Sequence, residues 1–166
     1  MNIFYLHSDT KKCAEMHCDK HVVKMILETA QLLSTAHRIF TTQQISNNSE
    51  NSILYKATHK NHPSAVWARK SQKNYLWLSS LLRNLCLEYT YRYGKIHAVE
   101  QKGLLQFLSE NIPVNMPDDA FTEPPQCMPD EFKRDGNSIA AYRQYYAIGK
   151  KHLLTYKKRE PPKFLS

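Results

Sequence analysis

Two long stretches of the chain, residues 20–40 and 64–91, contain neither glycine nor proline. These two residue types interrupt an α-helix most strongly, so each stretch predicts one long helix. Asp19 precedes the first stretch as a predicted N-cap, Pro63 suits the first turn of the second, and Gly94 suits its end. This pattern predicts an all-α fold.

The rest of the chain predicts shorter helices joined by irregular segments. Residues 98–109 and 138–156 favour helices, whereas the polar residues 41–52 favour a loop. Residues 111–136 are expected to be irregular and to lie over the surface, because prolines recur through them. No repeat or linker divides the sequence, so a single domain of four or five helices over residues 1–166 is expected.

The first long predicted helix is amphipathic. At about 100° per residue, its apolar side collects six residues that are expected to be buried: Val22, Val23, Ile26, Leu27, Ala30 and Leu33. The opposite side is expected to face water and carries His21, Lys24, Glu28, Gln31, Thr35 and Arg38.

Composition excludes several classes of protein. The chain has only four glycines and contains no GxGxxG or GxxxxGK[ST] motif, so a Rossmann or P-loop nucleotide site is not expected. No apolar run approaches the ~18 residues of a membrane span, and the first residues carry no secretory or transit signal. The expectation is a soluble, cytoplasmic protein with no membrane partner. Its formal net charge of +8 favours an acidic partner such as nucleic acid.

The cysteines, Cys13, Cys18, Cys86 and Cys127, form no CxxC pair. Without a secretory signal, they are expected to be free thiols. The segment from Cys13 to His21 contains two cysteines and two histidines, which are possible zinc ligands. Because no loop separates the two pairs, the spacing does not favour zinc, and no metal or cofactor is expected.

The polar side of the first long helix carries a candidate catalytic set. His21, Lys24 and Glu28 lie on consecutive turns, where their side chains can meet. An imidazole, an ammonium and a carboxylate together suit proton transfer. The alternative interpretation is an ordinary solvated helix face.

Two basic clusters are candidate nucleic-acid contacts. One surrounds the start of the second long stretch, where a helix N-terminus would favour phosphate: His59, His62, Arg69, Lys70 and Lys73. The other lies near the C-terminus with tyrosines between its members: Arg143, Lys150, Lys151, Lys157 and Lys158. A solvated basic surface is the alternative interpretation of both clusters.

Several segments resemble known families. The residues from Met16 to Glu28, with NHPSAVWAR, EYTYRYGK and YRQYYAIGKKHL, strongly resemble a family of small proteins encoded by phages and large DNA viruses. A more distant resemblance is to pyrimidine-dimer DNA glycosylases of the phage endonuclease V type. It rests on the spacing of Asp19, His21 and Glu28, on MPDEFKRD at 128–135, on the basic residues 151–164, and on His62-Pro63 with Arg69.

The second resemblance implies an all-helical DNA glycosylase, in which an AP-lyase step can follow base removal. The family's nucleophile is the chain's own α-amine, here Met1, and Glu28 is the matching catalytic carboxylate. His21 would orient Glu28, and Lys24 would supply a positive charge. The substrate implied is double-stranded DNA that is bent, with a damaged or modified pyrimidine nucleotide flipped out.

The sequence departs from the phage enzymes at three positions. Asn2 normally leaves Met1 in place, whereas the phage enzymes expose a small second residue after Met is removed. Arginines flank the catalytic carboxylate in those enzymes, and Leu27 and Gln31 occupy the matching positions. Two alternatives therefore stay open: a non-catalytic nucleic-acid-binding protein on the same scaffold, and a nucleotide-processing enzyme that uses the helix stripe with His59 and His62.

Overall fold

The structure is a computed structural model that describes residues 1–41 and 53–166. Its α-helices are α1 Thr10–Met16, α2 Asp19–Thr41, α3 Pro63–Ala68, α4 Gln72–Tyr93, α5 Ala98–Gln101, α6 Leu104–Glu110 and α7 Ser138–Gln144. The described residues contain no strand, which confirms the all-α class. Apart from Thr41, the predicted loop at 41–52 lies outside the described residues.

Helix α2 has nearly the bounds that its sequence predicts, but Asp19 is not its N-cap. Asp19 is the first helical residue, and its carboxylate accepts hydrogen bonds from the backbone N of Lys157 at 2.9 and 3.0 Å. The Nη1 of Arg92 lies 3.0 Å from the same carboxylate. The capping prediction was wrong because these remote groups occupy the carboxylate oxygens.

Four of the six residues predicted to be buried on α2 lie in the core: Val22, Ile26, Ala30 and Leu33. Val23 and Leu27 are 39 % and 41 % exposed, although the pattern assigned them to the core, whereas His21 and Thr35 are buried. The rings of Phe4 and His21 stack with centroids 4.2 Å apart, and Thr35 Oγ1 donates to the carbonyl of Thr58. Segments that contact α2 from elsewhere in the chain therefore cover the side that was expected to face water.

The second long stretch forms two helices rather than one. The side-chain oxygen of Ser71 accepts a hydrogen bond from the backbone N of Asn74 at 3.1 Å and starts α4 as its N-cap. The Nδ2 of Asn74 donates to the carbonyl of Trp67 at 3.1 Å, which joins the two helices across the break. Gly94 ends α4 in the left-handed conformation with φ 64°, as predicted.

The later predicted helices are also shorter than expected. Gly103, with φ 83°, separates α5 from α6 inside the predicted helix 98–109. Helix α7 ends at Gln144, and a π-helical turn at Tyr145–Gly149 follows it, so a helix to residue 156 was wrong. These divisions add two helices, and the unpredicted α1 adds a third, so the described residues contain seven helices where four or five were expected.

Residues 111–136 are irregular as predicted, with one 3₁₀ turn at Asp130–Phe132. The segment does not lie wholly on the surface, because Met116, Met128 and Phe132 are buried in the core. These apolar side chains hold the segment against the core, beside the first residues of the chain.

The core is built on α2 and α4, which pack against each other. Helix α1 packs on α4, and α3 packs on α2. The first residues also enter the core, since Ile3, Phe4, Tyr5 and Leu6 are all buried. Among the described residues, no helix combines the length and apolar character needed to cross a membrane.

Candidate active site

Glu28 lies near the middle of α2 and is the centre of the candidate site. Its side chain is 14 % exposed, and its Oε1 forms an ion pair with Lys24 Nζ at 3.4 Å. Its Oε2 accepts a hydrogen bond from the backbone N of Asn2 at 3.2 Å. The fold therefore places the start of the chain against this carboxylate, and Lys24 on the preceding turn.

Both polar atoms of the Asn2 side chain form hydrogen bonds. Its Nδ2 donates to the carbonyl of Cys127 at 2.9 Å, and its Oδ1 lies 2.8 Å from the hydroxyl of Tyr142 and 2.9 Å from the backbone N of Ile3. Tyr142 is fully buried, and its hydroxyl also lies 2.6 Å from the carbonyl oxygen of Pro125. These contacts fix the backbone nitrogen of Asn2 relative to Glu28.

The hydroxyl of Tyr142 is a neutral hydrogen-bond donor. Burial raises the pKa of Tyr142 well beyond its usual range, so the phenol keeps its proton. The oxygen accepts from the backbone N of Cys127 at 3.2 Å, while its single hydrogen can serve either Asn2 or Pro125. One buried group therefore links the irregular segment to the start of the chain.

His62 lies in the same neighbourhood. Burial lowers the pKa of His62, and the positive charges of the N-terminus and His59 lower it further, while the charge of Glu28 opposes them. Its Nδ1 accepts a hydrogen bond from the backbone N of Ser64 at 3.1 Å, and it caps α3. The N-terminus of the chain, Glu28 and His62 thus share one electrostatic environment.

His21 supports the start of the chain rather than touching Glu28. Its Nδ1 lies 2.6 Å from the hydroxyl of Tyr146, and its ring stacks on Phe4. Burial lowers the pKa of His21 to about 3, and nearby positive groups, including Lys150, add to the effect. Within the described residues no hydrogen bond joins His21 to Glu28, so the expected orienting contact is not direct.

The basic residues near α3 and α4 differ in their exposure and in their hydrogen-bond partners. Arg69 donates through Nη1 to the carbonyl of Lys60 at 2.7 Å, which holds its guanidinium at the surface end of α3. Lys70 and Lys73 are exposed, and exposed His59 lies 2.7 Å from the hydroxyl of Thr58 through its Nδ1. Of this predicted cluster, His62 is the member whose pKa responds to the charge of Glu28.

The C-terminal basic residues contact other parts of the chain. Arg143 donates to the carbonyl of Leu6 at 2.9 Å. The ammonium groups of Lys150 and Lys157 lie over the rings of Tyr145 and Tyr93 at 5.0 and 5.3 Å from the centroids. Lys158 donates to the carbonyl of Tyr91 at 3.2 Å, and Lys151 is exposed.

Asp19, the first residue of the matched spacing, belongs to a charge cluster away from Glu28. Arg92 is completely buried and pairs with Asp19 at 3.0 Å and with Glu88 at 2.7 Å. Arg159 donates to both carboxylate oxygens of Glu88 at 2.8 and 2.9 Å. Burial raises the pKa of Glu88, but hydrogen bonds from Arg159 and Arg92 outweigh this and hold the pKa below its usual value.

The cysteine and histidine segment before α2 forms packing contacts. Cys13, Cys18, Cys86 and Cys127 are free thiols. Burial raises the pKa of Cys13 to about 11, and the thiol donates to the carbonyl of Phe4. In residues 1–41 and 53–166, no group of three or more His, Cys, Asp or Glu side chains is placed to hold a metal ion.

Sequence reasoning missed the contributions of Cys127 and Tyr142 and noticed Asn2 only for its effect on Met1. Asn2 and Tyr142 are 140 positions apart, so no local pattern joins them. Proline-rich character was the one signal in this region, and it predicted a surface segment rather than a support for the site.

One comparison with known proteins gives a match. A family model described as pyrimidine dimer DNA glycosylase matches residues 1–101 of the 166. The matched part contains Asn2, Glu28 and His62, whereas Cys127 and Tyr142 lie beyond it. A search of curated proteins and a search of solved structures each gave no match.

Proposed function

The chain belongs to the pyrimidine dimer DNA glycosylase family, and from this premise we propose that it removes a damaged or modified pyrimidine from double-stranded DNA. Family membership makes DNA its substrate. The observation that carries the proposal is the 3.2 Å contact between the backbone N of Asn2 and Glu28 Oε2. It brings the end of the chain, which carries an α-amine, to a partly buried carboxylate.

In the proposed reaction the α-amine attacks C1′ of the flipped nucleotide. A bond forms between nitrogen and C1′, and the glycosidic bond breaks with its electron pair leaving on the base. Glu28 stabilises the positive charge that develops on the sugar and takes the proton released by the attacking amine. The same proton, returned to the ring oxygen as the sugar opens, leaves an imine between the chain and C1′.

An AP-lyase step can follow from the imine. Removal of a proton from C2′ breaks the bond between C3′ and its oxygen, and the phosphate leaves with the electron pair. Water then hydrolyses the imine and frees the α-amine. Glu28 is the carboxylate that lies close enough to the start of the chain to move these protons.

The nitrogen beside Glu28 is an amide while Met1 is present, and an amide is not a nucleophile. While Met1 is present, the attacking amine is therefore that of Met1, the residue before Asn2. An α-amine has a pKa near ~8, so a useful fraction is unprotonated at neutral pH. In a chain that has lost Met1, the amine of Asn2 takes the position 3.2 Å from the carboxylate.

The remaining predicted residues have supporting roles in this proposal. His21 holds Phe4 and so positions the start of the chain, and the exposed Lys24 binds a phosphate next to the target nucleotide. The other proposed phosphate contacts are His59, His62, Arg69, Lys70, Lys73, Arg143, Lys150, Lys151, Lys157 and Lys158. Phosphate contacts of this kind give affinity that falls as salt concentration rises.

Borohydride trapping tests the proposal. Wild-type protein is expected to form a covalent adduct with duplex DNA carrying an abasic site and to cleave duplex DNA carrying a pyrimidine dimer. Glu28→Gln should lower the cleavage rate about 10²- to 10⁴-fold, because it removes the proton-transferring carboxylate. The matched control is Glu110→Gln at the exposed end of α6. No adduct and no Glu28-dependent cleavage would contradict the proposal.

A second experiment identifies the amine that attacks the sugar. Protein that starts at Asn2, released from a cleavable N-terminal fusion, is compared with protein that retains Met1. Peptide mapping of the reduced adduct then locates the modified nitrogen in each form. An adduct on a lysine side chain in both forms would contradict the assignment to the α-amine.

A second candidate function is binding without bond cleavage. The observation that favours it is the same amide: with Met1 retained, the nitrogen nearest to Glu28 cannot attack a sugar. This candidate expects salt-dependent DNA binding that survives Glu28→Ala, with no product detected by mass spectrometry. A cleaved product that depends on Glu28 would contradict it.

A further inference from the structure

Helix α2 exposes two large apolar side chains beside the candidate catalytic carboxylate. Val23 and Leu27 are 39 % and 41 % exposed and lie one helical turn apart. Leu27 directly precedes Glu28, and Val23 directly precedes Lys24, which pairs with Glu28. The two side chains therefore form a short apolar ridge along the edge of the site.

Two positively charged side chains lie beside this ridge. Lys20 and Lys24 are both exposed on α2. At about 100° per residue, Val23, Leu27, Lys20 and Lys24 occupy roughly 100° of the helix circumference. Glu28 lies next to Lys24 around the helix, and its charge is already paired. The surface thus places two apolar side chains beside an ammonium group on each of two successive turns.

Unstacked DNA has the complementary chemistry. A nucleobase that has lost its stacking neighbour exposes an apolar face, and the phosphates on either side of it are anionic. Architectural DNA-binding proteins insert Leu, Ile, Phe or Met side chains between bases to hold such a gap open. A helical turn rises about 5.4 Å, which is close to the width of a base ring.

We propose that Val23 and Leu27 form an apolar wedge that packs against the bases next to the flipped nucleotide while Lys20 and Lys24 bind the neighbouring phosphates. This inference rests on the proposed function and specifies how the same site keeps the DNA open. The wedge therefore contributes affinity for distorted DNA that depends little on salt.

The test uses a duplex that contains a tetrahydrofuran abasic analogue with 2-aminopurine as its neighbour. This analogue cannot form an imine, so binding is measured without chemistry. The variants are the double substitution Val23→Ser with Leu27→Ser and the matched control Leu76→Ser. Leu76 is 45 % exposed on α4. All three substituted positions are exposed, and circular dichroism confirms that each variant folds.

Wild-type protein is expected to raise 2-aminopurine fluorescence on binding, because the base loses its stacking partners. The double variant should lose most of that rise and bind the abasic duplex roughly tenfold more weakly, as expected for loss of base contacts. Its affinity for undamaged duplex and the slope of log affinity against log salt concentration should stay as in wild type, since no phosphate contact has changed. The control should match wild type in every measurement.

Three outcomes would overturn the proposal, and they separate it from the proposed function. A fluorescence rise that persists in the double variant overturns the wedge alone, as does an equal loss in Leu76→Ser. Failure of wild-type protein to bind either duplex overturns the proposed function, and the wedge with it.

Discussion

The two ends of the chain both pack against α2, but different forces hold them. The N-terminal arm, residues 1–6, meets the first half of α2 through neutral groups: the Asn2 amide at Glu28 and the Phe4 ring on His21. The C-terminal strap, residues 154–166, contacts the start of α2 through a backbone N–H and the end of α4 through an ion pair. Its Arg159 binds Glu88, and its backbone N at Lys157 binds the carboxylate of Asp19.

The two regions differ in the groups that bind their carboxylates. In the strap cluster, Arg92 and Arg159 both bind Glu88, while Arg92 and the backbone N of Lys157 bind Asp19, so the two carboxylates have a structural role. At the arm, the carboxylate of Glu28 has one neutral donor and one exposed ammonium partner. A carboxylate held in this way remains able to act on a substrate.

Arg143 joins the two regions. Its Nε donates to the carbonyl of Leu6 in the arm, and its guanidinium lies 5.1 Å from the ring centroid of Phe164 in the strap. Its proposed contact with DNA phosphate would therefore couple substrate binding to both ends of the chain.

The largest expected effect comes from the buried charge of the strap cluster. Arg92→Leu leaves Glu88 and Asp19 without their buried partner, so it should lower the free energy of unfolding by about 3–5 kcal/mol. Urea unfolding at pH 7 measures this change, with the exposed Arg83→Leu on the same helix as the control. A loss no larger than that of the control would show that the cluster does not stabilise the fold.

Acidification should loosen the arm before the strap. Burial lowers the pKa of His17 to about 4 and of His21 to about 3, so the unfolded chain binds protons at these residues first, near pH 6.5. Their stabilising effect is complete above pH 6.5 and is lost as the pH falls toward 4. Each pH unit in this window costs up to about 1.4 kcal/mol for each histidine. Glu88 has a pKa below its usual value, so the strap cluster protonates at lower pH.

Urea unfolding between pH 7 and 4.5 measures the slope, and hydrogen exchange corrected for its intrinsic rate locates the loosening. The amides of residues 3–6 should lose protection at a higher pH than the amide of Lys157. Burial also lowers the pKa of His37 to about 4. His37 therefore adds to the slope, although it lies outside both regions. His21→Gln should flatten the slope, and an unchanged slope would contradict the assignment.

A smaller loss is expected when the arm loses one hydroxyl. Tyr142→Phe leaves the backbone N of Cys127 without a partner and removes one of the two donors to Asn2 Oδ1, so it should cost about 1–3 kcal/mol. The yield of the borohydride-trapped adduct should fall too, because the first residues are no longer fixed at Glu28. Tyr145→Phe, whose hydroxyl takes no part in holding Asn2, is the control. Equal adduct yields in both variants would contradict the positioning role.

The smallest effect is expected at the edge of the strap. The side chain of Arg159 is 30 % exposed, so Arg159→Gln should cost only about 1 kcal/mol or less at low salt. Because salt screens an exposed ion pair, the loss should shrink between 0.05 and 0.5 M NaCl, concentrations that correspond to Debye lengths above and below about 8 Å. The loss in Tyr142→Phe should not change over the same range. A salt-dependent loss at both sites would remove the distinction between the two regions.

The two regions also differ in how far the sequence predicts them. Helical spacing placed Lys24 and Glu28 together on α2, and the structure has them as an ion pair. The same spacing assigned Val23 and Leu27 to the core, because an apolar stripe does not reveal which segments will cover the opposite face. Residues 1–6 and the segment near Thr58 cover that face, and neither carries a periodic signal.

Breaks in helices were equally hard to predict. Ser71 starts a new helix because its hydroxyl caps Asn74, whose own side chain binds Trp67 and Thr122. In isolation the stretch has no residue that forbids a continuous helix. The break therefore depends on a contact with the irregular segment, which only the folded chain supplies.

The link between Asn2 and Tyr142 has a consequence for the order of events during synthesis. The ribosome makes Asn2 first and Tyr142 140 residues later, which takes roughly 7–28 s at about 5–20 residues per second. Throughout that interval the amide side chain of Asn2 has no tyrosine hydroxyl to bind. Enzymes that trim nascent chains therefore meet the first residues before Tyr142 can hold them in place, because that hydrogen bond forms only after α7 has been made.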